Sequence, residues 1–284
     1  MNRIRALLAA ALILVVAPAL AAESPTLSRI KKTGTVRVGY SATSVPFSFN
    51  DKDGLPAGYS VELCKHVVAG LQEKLGLKEL KTQWVALTPA DRLPAVEKGR
   101  VDMECGTASI TLKRQEVVDF SLPIFVDSST LMTRKEGMGG FSAFAGKKIA
   151  VAAGTTTEAA LDRALKSRFV QATVVRTKTV QEGFEKLKAG EVDALAGDRT
   201  ALIGSFVLGG GAEGLGLIDE DLSYEPYGLV LPRGDADFRL AVNRVLATIY
   251  RSGEITGVYG RWLGPIGKPS APLVALYLLN SYPE

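Results

Sequence analysis

The chain has 284 residues, of which 46% are hydrophobic and 23% charged, with a formal net charge of +4 at neutral pH. That composition suits one or two globular domains. So small a positive balance, with no basic cluster interleaved with aromatics, excludes a nucleic-acid binder.

The N-terminus reads as a secretory signal. Arg3 and Arg5 form a basic head, Ala6 to Val16 an apolar run, and Pro18 a break before the small residues Ala19, Ala21 and Ala22. Cleavage is expected after Ala21 or Ala22, making 1–22 a signal peptide. The alternative is an uncleaved anchor, but the run is shorter than the ~20 residues that span hydrocarbon. Without Arg3 and Arg5 the balance becomes +4 − 2 = +2.

After a polar lead to Thr33, strands and helices alternate. Thr35 to Tyr40 is rich in β-branched residues and reads as a strand. Tyr59 to Leu75 is an amphipathic helix, apolar at 61, 64, 67, 68, 71 and 75, with Gly76 just beyond. Leu80 to Val85 is a strand, Ala90 to Glu97 a short helix and Val101 to Cys105 a strand. The same grammar restarts with a strand at Lys148 to Ala152 and a helix at Thr156 to Leu165. A strand at Ala172 to Arg176, a helix at Val180 to Ala189 and a strand at Val192 to Ala196 follow. Gly209 to Gly211 reads as a flexible loop, Phe238 to Arg251 as a helix, and Pro272 to Leu279 as a closing tail too short to cross a bilayer. Such alternation implies parallel sheets faced by helices.

The restart leaves an echo at a constant offset of 91 positions. Leu93, Val96, Gly99, Val101, Asp102 and Gly106 return as Phe184, Leu187, Gly190, Val192, Asp193 and Gly197. Two lobes of one architecture are therefore expected. Thr130 to Arg134 and Tyr227 to Leu231 flank the second block and read as crossovers. They divide the chain into lobe 1, residues 23–130 plus 229–284, and lobe 2, residues 131–228, around a hinge.

Two cysteines in an exported chain suggest one disulfide. Cys64 shares a helix face with Val67, Val68 and Leu71, and Cys105 alternates with Val101 and Met103. A helix packed on that sheet brings them together; two separate buried thiols are the alternative.

Ligands of open parallel sheets bind beyond the carboxyl ends of strands, and those positions here are rich in hydroxyls. Strands run into Ser41, Thr43 and Ser44, into Thr107 and Ser109, and into Thr155, Thr156 and Thr157. Thr155 and Glu158 have capping-box spacing, and the helix end they start would attract a carboxylate. Taken alone, the same spacing only starts a helix. Arg114 follows Thr111 in a short first turn and can grip a carboxylate through two hydrogen bonds. Asp198 falls at the mirror position of lobe 2, and Arg92 begins a helix. A cation and an anion facing one cleft suit a zwitterion, although each charge alone suits a solvated surface. His66, the single histidine, sits mid-helix with a solvent-facing position expected, so no histidine triad, zinc site or phosphate loop stands out.

The sequence resembles the extracytoplasmic solute-binding proteins of family 3, which serve ABC importers for polar amino acids. Within that family it is most similar to the glutamate/aspartate-binding branch. The stretches Ser44 to Phe49, Gly58 to Ser60, Arg92 to Pro94, Val101 to Thr107, Lys113 to Glu116, Asp119 to Ser121 and Gly154 to Glu158 carry the resemblance. It continues from Tyr227 to Trp262. It implies an α/β type II periplasmic-binding-protein fold with two hinge strands, a periplasmic location, an ABC permease as partner, a monomer, and neither cofactor nor catalysis. It assigns Arg114 to the ligand's carboxylate, helped by Thr107, Ser109 and Thr155 to Thr157. Asp198 takes the ammonium group, and Arg92 lies near the side chain.

The chain departs from that branch at two positions: Ser41 replaces an arginine and Val180 a histidine. The aromatic platform of many members is absent at Ser44. Glutamate or aspartate is the expected ligand, with glutamine, asparagine or another dicarboxylate open. Two other classes compete: a dehydratase on the same scaffold, with Glu104 or Glu158 as further acid or base, and a protein that delivers its ligand to a receptor.

Overall fold

The computed structural model describes residues 24–135, 139–208 and 214–284. The expected signal segment and the loop at Gly209 to Gly211 lie outside the described residues. The first part runs α1 (Pro25–Thr33), β1 (Thr35–Tyr40), β2 (Thr43–Ser44), β3 (Ser48–Asn50) and β4 (Pro56–Ala57). It continues through α2 (Tyr59–Lys74), β5 (Lys81–Ala86), α3 (Arg92–Glu97) and β6 (Met103–Glu104). A long strand, β7 (Val118–Arg134), leads to β8 (Lys148–Ala152), α4 (Thr156–Ser167), β9 (Thr173–Thr177), α5 (Val180–Ala189) and β10 (Ala194–Asp198). Then come α6 (Arg199–Leu208), β11 (Leu215–Leu217), β12 (Ser223–Pro232), α7 (Ala236–Ser252), α8 (Ile255–Trp262) and α9 (Ala271–Leu279).

Strand pairing joins two parallel sets through two long antiparallel strands. The order is β5-β1-β6-β12-β7-β10-β8-β9, with β11 on β7. Strands β7 and β12 pair from Val118–Pro232 to Ser129–Ser223, with a bulge around Gly228. At one end β12 meets β6 at Val230 and Glu104. At the other, β7 meets β10 from Ser129 to Thr133. Each set has its own core. Leu63, Val67 and Leu71 of α2 pack with Val36, Val38 and Met103 in the first. Ile149, Val151 and Leu161 pack in the second, with Ala150, Phe184 and Leu195 on the other face of that sheet. Each fully buried aliphatic contributes about 1.5–3 kcal/mol.

The echo in the sequence is an echo in hydrogen bonds. Asp102 N–H donates to Arg37 O at 2.8 Å, and the Asp102 carboxylate accepts Arg37 N–H at 2.7 Å. Asp193 repeats both contacts with Lys148, at 2.9 and 2.8 Å. In each half this aspartate ties the entry of one strand to the start of its neighbour. Gly99 and Gly190 end the preceding helices at φ 63° and 74°, a region that favours glycine.

The short strand expected at Val101 to Cys105 narrows to β6. The two expected crossovers are stretches of much longer strands, because Pro123 and the run of serines in β7 blur its alternation. The polar lead is in fact α1, with Ser24 capping Leu27 N–H, Pro25 in the first turn and Gly34 at the end. Helix α6 and the small sheet β2-β3-β4 were also unanticipated. The tail is α9, where Leu273 is buried and the Tyr277 hydroxyl lies 2.7 Å from that of Tyr59. Among the described residues no helix is long and apolar enough to cross a membrane.

Cys64 and Cys105 are bridged, with Cα atoms 6.3 Å apart and a sequence separation of 41. Replacing both by serine is expected to lower unfolding stability by about 2–4 kcal/mol, because the reduced chain regains loop freedom when unfolded. A denaturant midpoint equal to that of the oxidised protein would contradict this.

Candidate ligand-binding site

The cavity between the halves is largely enclosed and walled by short hydroxyl side chains. Ser44, Arg92, Thr107, Thr155, Thr156, Thr157 and Asp198 all line it, together with Thr43, Thr179, Val180 and Ser205. Seven of the nine expected ligand contacts therefore meet in one place. Ser109 and Arg114 stand beside it, and Arg114 lines an adjoining surface pocket that shares Thr155 and Thr156.

Each wall is set by a local rule. Thr155 caps α4, accepting Glu158 N–H at 3.0 Å and donating to Ala152 O at 2.8 Å. Glu158 reaches back to Gly154 N–H at 2.8 Å and meets Arg176 at 2.6 Å, which occupies both its oxygens. That leaves Thr156 and Thr157 projecting from the first turn. The Thr157 hydroxyl donates to Asp198 Oδ1 at 2.7 Å, and the Thr156 hydroxyl to Glu225 Oε2 at 2.6 Å. Ser109 Oγ lies 3.1 Å from Thr156 Oγ1, so the two halves touch through hydroxyls.

The cations come from the first half. Arg92, at the start of α3, is only 6% exposed and donates one weak bond, at 3.4 Å, to the Thr107 hydroxyl. Its Nε has no partner. Arg114 opens a 3₁₀ turn and reaches across to the second half. It donates to Ser109 O at 2.8 Å and to Gly154 O at 3.4 Å. Burial, then repulsion from Arg92, lowers its pKa to about 10. Behind them Glu104 is fully enclosed, one carboxyl oxygen unpartnered, its pKa raised to about 6 by burial against the pull of Arg92 and Arg114.

The anions gather opposite. Asp198 is pushed up to about 6, by burial first and then by Glu225. Tyr227 donates to its Oδ2 at 2.6 Å. Asp127 and Glu225, which the sequence did not single out, sit behind it on the crossing strands. Burial and the charge of Asp198 raise Asp127 to about 7. Ser41 bonds to Ser44, Oγ to Oγ at 2.8 Å, and Val180 adds an apolar wall. His66 is half-buried between Glu62 and Glu254, far from these groups in sequence and lining a different surface pocket.

The halves also approach closely at the cavity rim. A Cβ on Gly154 would lie 2.9 Å from Ala90 Cα, and one on Gly204 2.9 Å from Val45 O. Only glycine fits between them in this closed arrangement. Cations on one wall, carboxylates on the other and hydroxyls around give a charge pattern complementary to a zwitterion.

Three raised carboxyls have a consequence for the unliganded protein. Unfolded, such groups ionise near pH 4; folded, Glu104, Asp198 and Asp127 keep their protons to about 6, 6 and 7. The folded state binds more protons between those limits, so stability falls as pH rises through that window. The melting temperature without ligand is expected to fall from pH 5 to pH 8, and a flat or rising profile would contradict it.

A family model for bacterial extracellular solute-binding proteins, family 3, matches residues 36–265. An L-glutamate/L-aspartate-binding protein of Pseudomonas aeruginosa is 33% identical over 252 residues, 88% of this chain and 83% of that one. A glutamate/aspartate import solute-binding protein of Escherichia coli is 29% identical over 242 residues, covering 85% and 80%. Among solved structures, a mutant of ArgBP from T. maritima superposes with a TM-score of 0.73 at 28% identity, over 84% of this chain and 99% of that one. The chain therefore belongs to the bacterial extracellular solute-binding proteins of family 3, binders and not enzymes, and has the type II periplasmic-binding-protein fold.

Proposed function

We propose that this chain is the substrate-binding component of an ABC importer, capturing one α-amino acid by closure of two lobes. The observation that carries this reading is the shared cavity: a buried Arg92 and an Asp198 held by two hydroxyl donors line the same enclosed space. In this reading residues 1–22 direct export and are removed, the mature monomer works in the periplasm, and its protein partner is the permease. Lobe 1 comprises 23–130 with 229–284, lobe 2 comprises 131–228, and bending occurs where β7 and β12 change neighbours.

Asp198 holds the ligand's ammonium group. Arg114, with Thr107, Ser109 and the first turn of α4, receives the α-carboxylate. This requires the guanidinium to turn from Gly154 O, its longer contact, toward the cavity. Arg92 then faces the ligand's side chain. An unspent buried guanidinium favours an acidic side chain, glutamate or aspartate, as do the names of two relatives. Ser41 and Val180 supply no charge, so glutamine and asparagine are the second choice.

Titration calorimetry of the mature protein tests this. One tight class is expected, strongest for glutamate or aspartate. Arg114→Ala or Asp198→Ala should cost about 2–5 kcal/mol of binding, the penalty for truncating one partner of a buried charge pair. Arg92→Ala should weaken the acidic ligands far more than glutamine. Failure of every amino acid to bind sinks the reading; full affinity in Asp198→Ala sinks the ammonium assignment.

A further inference from the structure

The hydroxyl of Tyr227 touches two carboxyls. It lies 2.6 Å from Asp198 Oδ2 and 3.2 Å from Asp127 Oδ2, and the ring is wholly buried. A phenol has one proton and can donate it once. The shorter contact marks Asp198 as the acceptor. The other contact is then attractive only when Asp127 carries its own proton and donates it to the phenol oxygen. A second observation points the same way. Asp127 and Glu225 are directly paired across β7 and β12, which places like charges face to face unless one is neutral. Glu225 is occupied as an acceptor by the hydroxyls of Thr156 and Ser223. Asp127 is the member of that pair whose proton would also join it to the Tyr227 oxygen.

The remaining contacts of Asp127 are backbone amides, which favour its charged form and are opposed by burial and the charge of Asp198. Its Oδ1 accepts Ser128 N–H at 2.9 Å, and Thr200 N–H is shared between Oδ1 at 3.3 Å and Oδ2 at 3.1 Å; Oδ2 is the oxygen that faces the phenol and so the one a proton would join to it. The charged and titratable groups around it are Tyr227 and Glu225 on β12 and Asp198 at the end of β10. Arg92 and Arg114 act on Asp198 from the first half. Among the described residues these carboxyls do not converge as a metal site.

We propose that Asp127 is a positioning residue of the binding site, held neutral so that it donates to Tyr227 and fixes Asp198 as the charged partner of the ligand's ammonium group. The hydrogen-bond chain runs from Asp127 through Tyr227 to Asp198. It starts on one crossing strand, passes the other and ends at the cavity. This rests on the assignment of Asp198 to the ammonium group made above. Burial and the nearby Asp198 charge, which raise Asp127 to about 7, agree with it.

Two substitutions separate a neutral acid from a carboxylate. Asp127→Ala removes the donor and should weaken binding of the preferred amino acid about tenfold. Asp127→Asn restores a neutral donor of the same shape and should recover most of that loss at pH 7. In the unliganded protein, Asp127→Asn should also remove the upper part of the fall in melting temperature, between pH 6 and pH 8. An asparagine variant that binds no better than the alanine one overturns the proposal. So does one that keeps the full fall with pH. If the variants fold poorly, ¹³C NMR of the unmutated protein's aspartate carboxyls serves instead. A carboxyl at Asp127 that titrates near 4 overturns the proposal, and one near 7 supports it. The stability and NMR arms need no ligand, so a protein that binds no amino acid fails the functional reading without deciding the proton on Asp127.

Discussion

Two strands running side by side, β7 and β12, set the distance between every charge in the cavity. Their antiparallel pairing is continuous except for the bulge around Gly228, and each strand serves a different sheet at either end. The side chains on these strands therefore belong to neither wall and can speak to both. Tyr227 is buried at this place, and its hydroxyl decides how the carboxyls behind the cavity share their protons.

The cavity draws its polar groups from both halves. Arg92, Arg114 and Glu104 come from one half, Asp198 and the α4 hydroxyls from the other, and Thr155 and Glu158 spend their own polarity on starting the helix. The groups left over are those without a full set of partners, notably Arg92 Nε and a Glu104 oxygen. Buried polar groups left unpaired are costly. A ligand that satisfies them gains from relieving that cost as well as from its own contacts.

Much of this was legible in the residues, and the losses have physical causes. β1, β8 and α5 were read to the residue because β-branched runs and a clean helical period leave little choice. Thr43, Thr107 and Thr155 to Thr157 were read from strand ends, whereas Thr179, the cap of α5, was not. α1 was missed because only Leu27 and Ile30 mark its buried face, although Ser24, Pro25 and Gly34 spelled out its ends. Asp127 and Glu225 were missed for a different reason. A carboxylate in a strand has no local signature; its meaning comes from a partner strand about a hundred residues away. Arg114 was singled out, but its bonds to Ser109 O and Gly154 O could not be read from spacing.

The disulfide has a bearing beyond stability. Cys105 is the residue between Glu104 and Gly106, so the bridge to α2 anchors the end of β6, an inner strand beside β12, just where the cavity wall of the first half begins. The second half has no covalent tie of this kind, since both cysteines are used. One jaw of the cleft is thus bolted to its own scaffold, while the other relies on packing and hydrogen bonds alone.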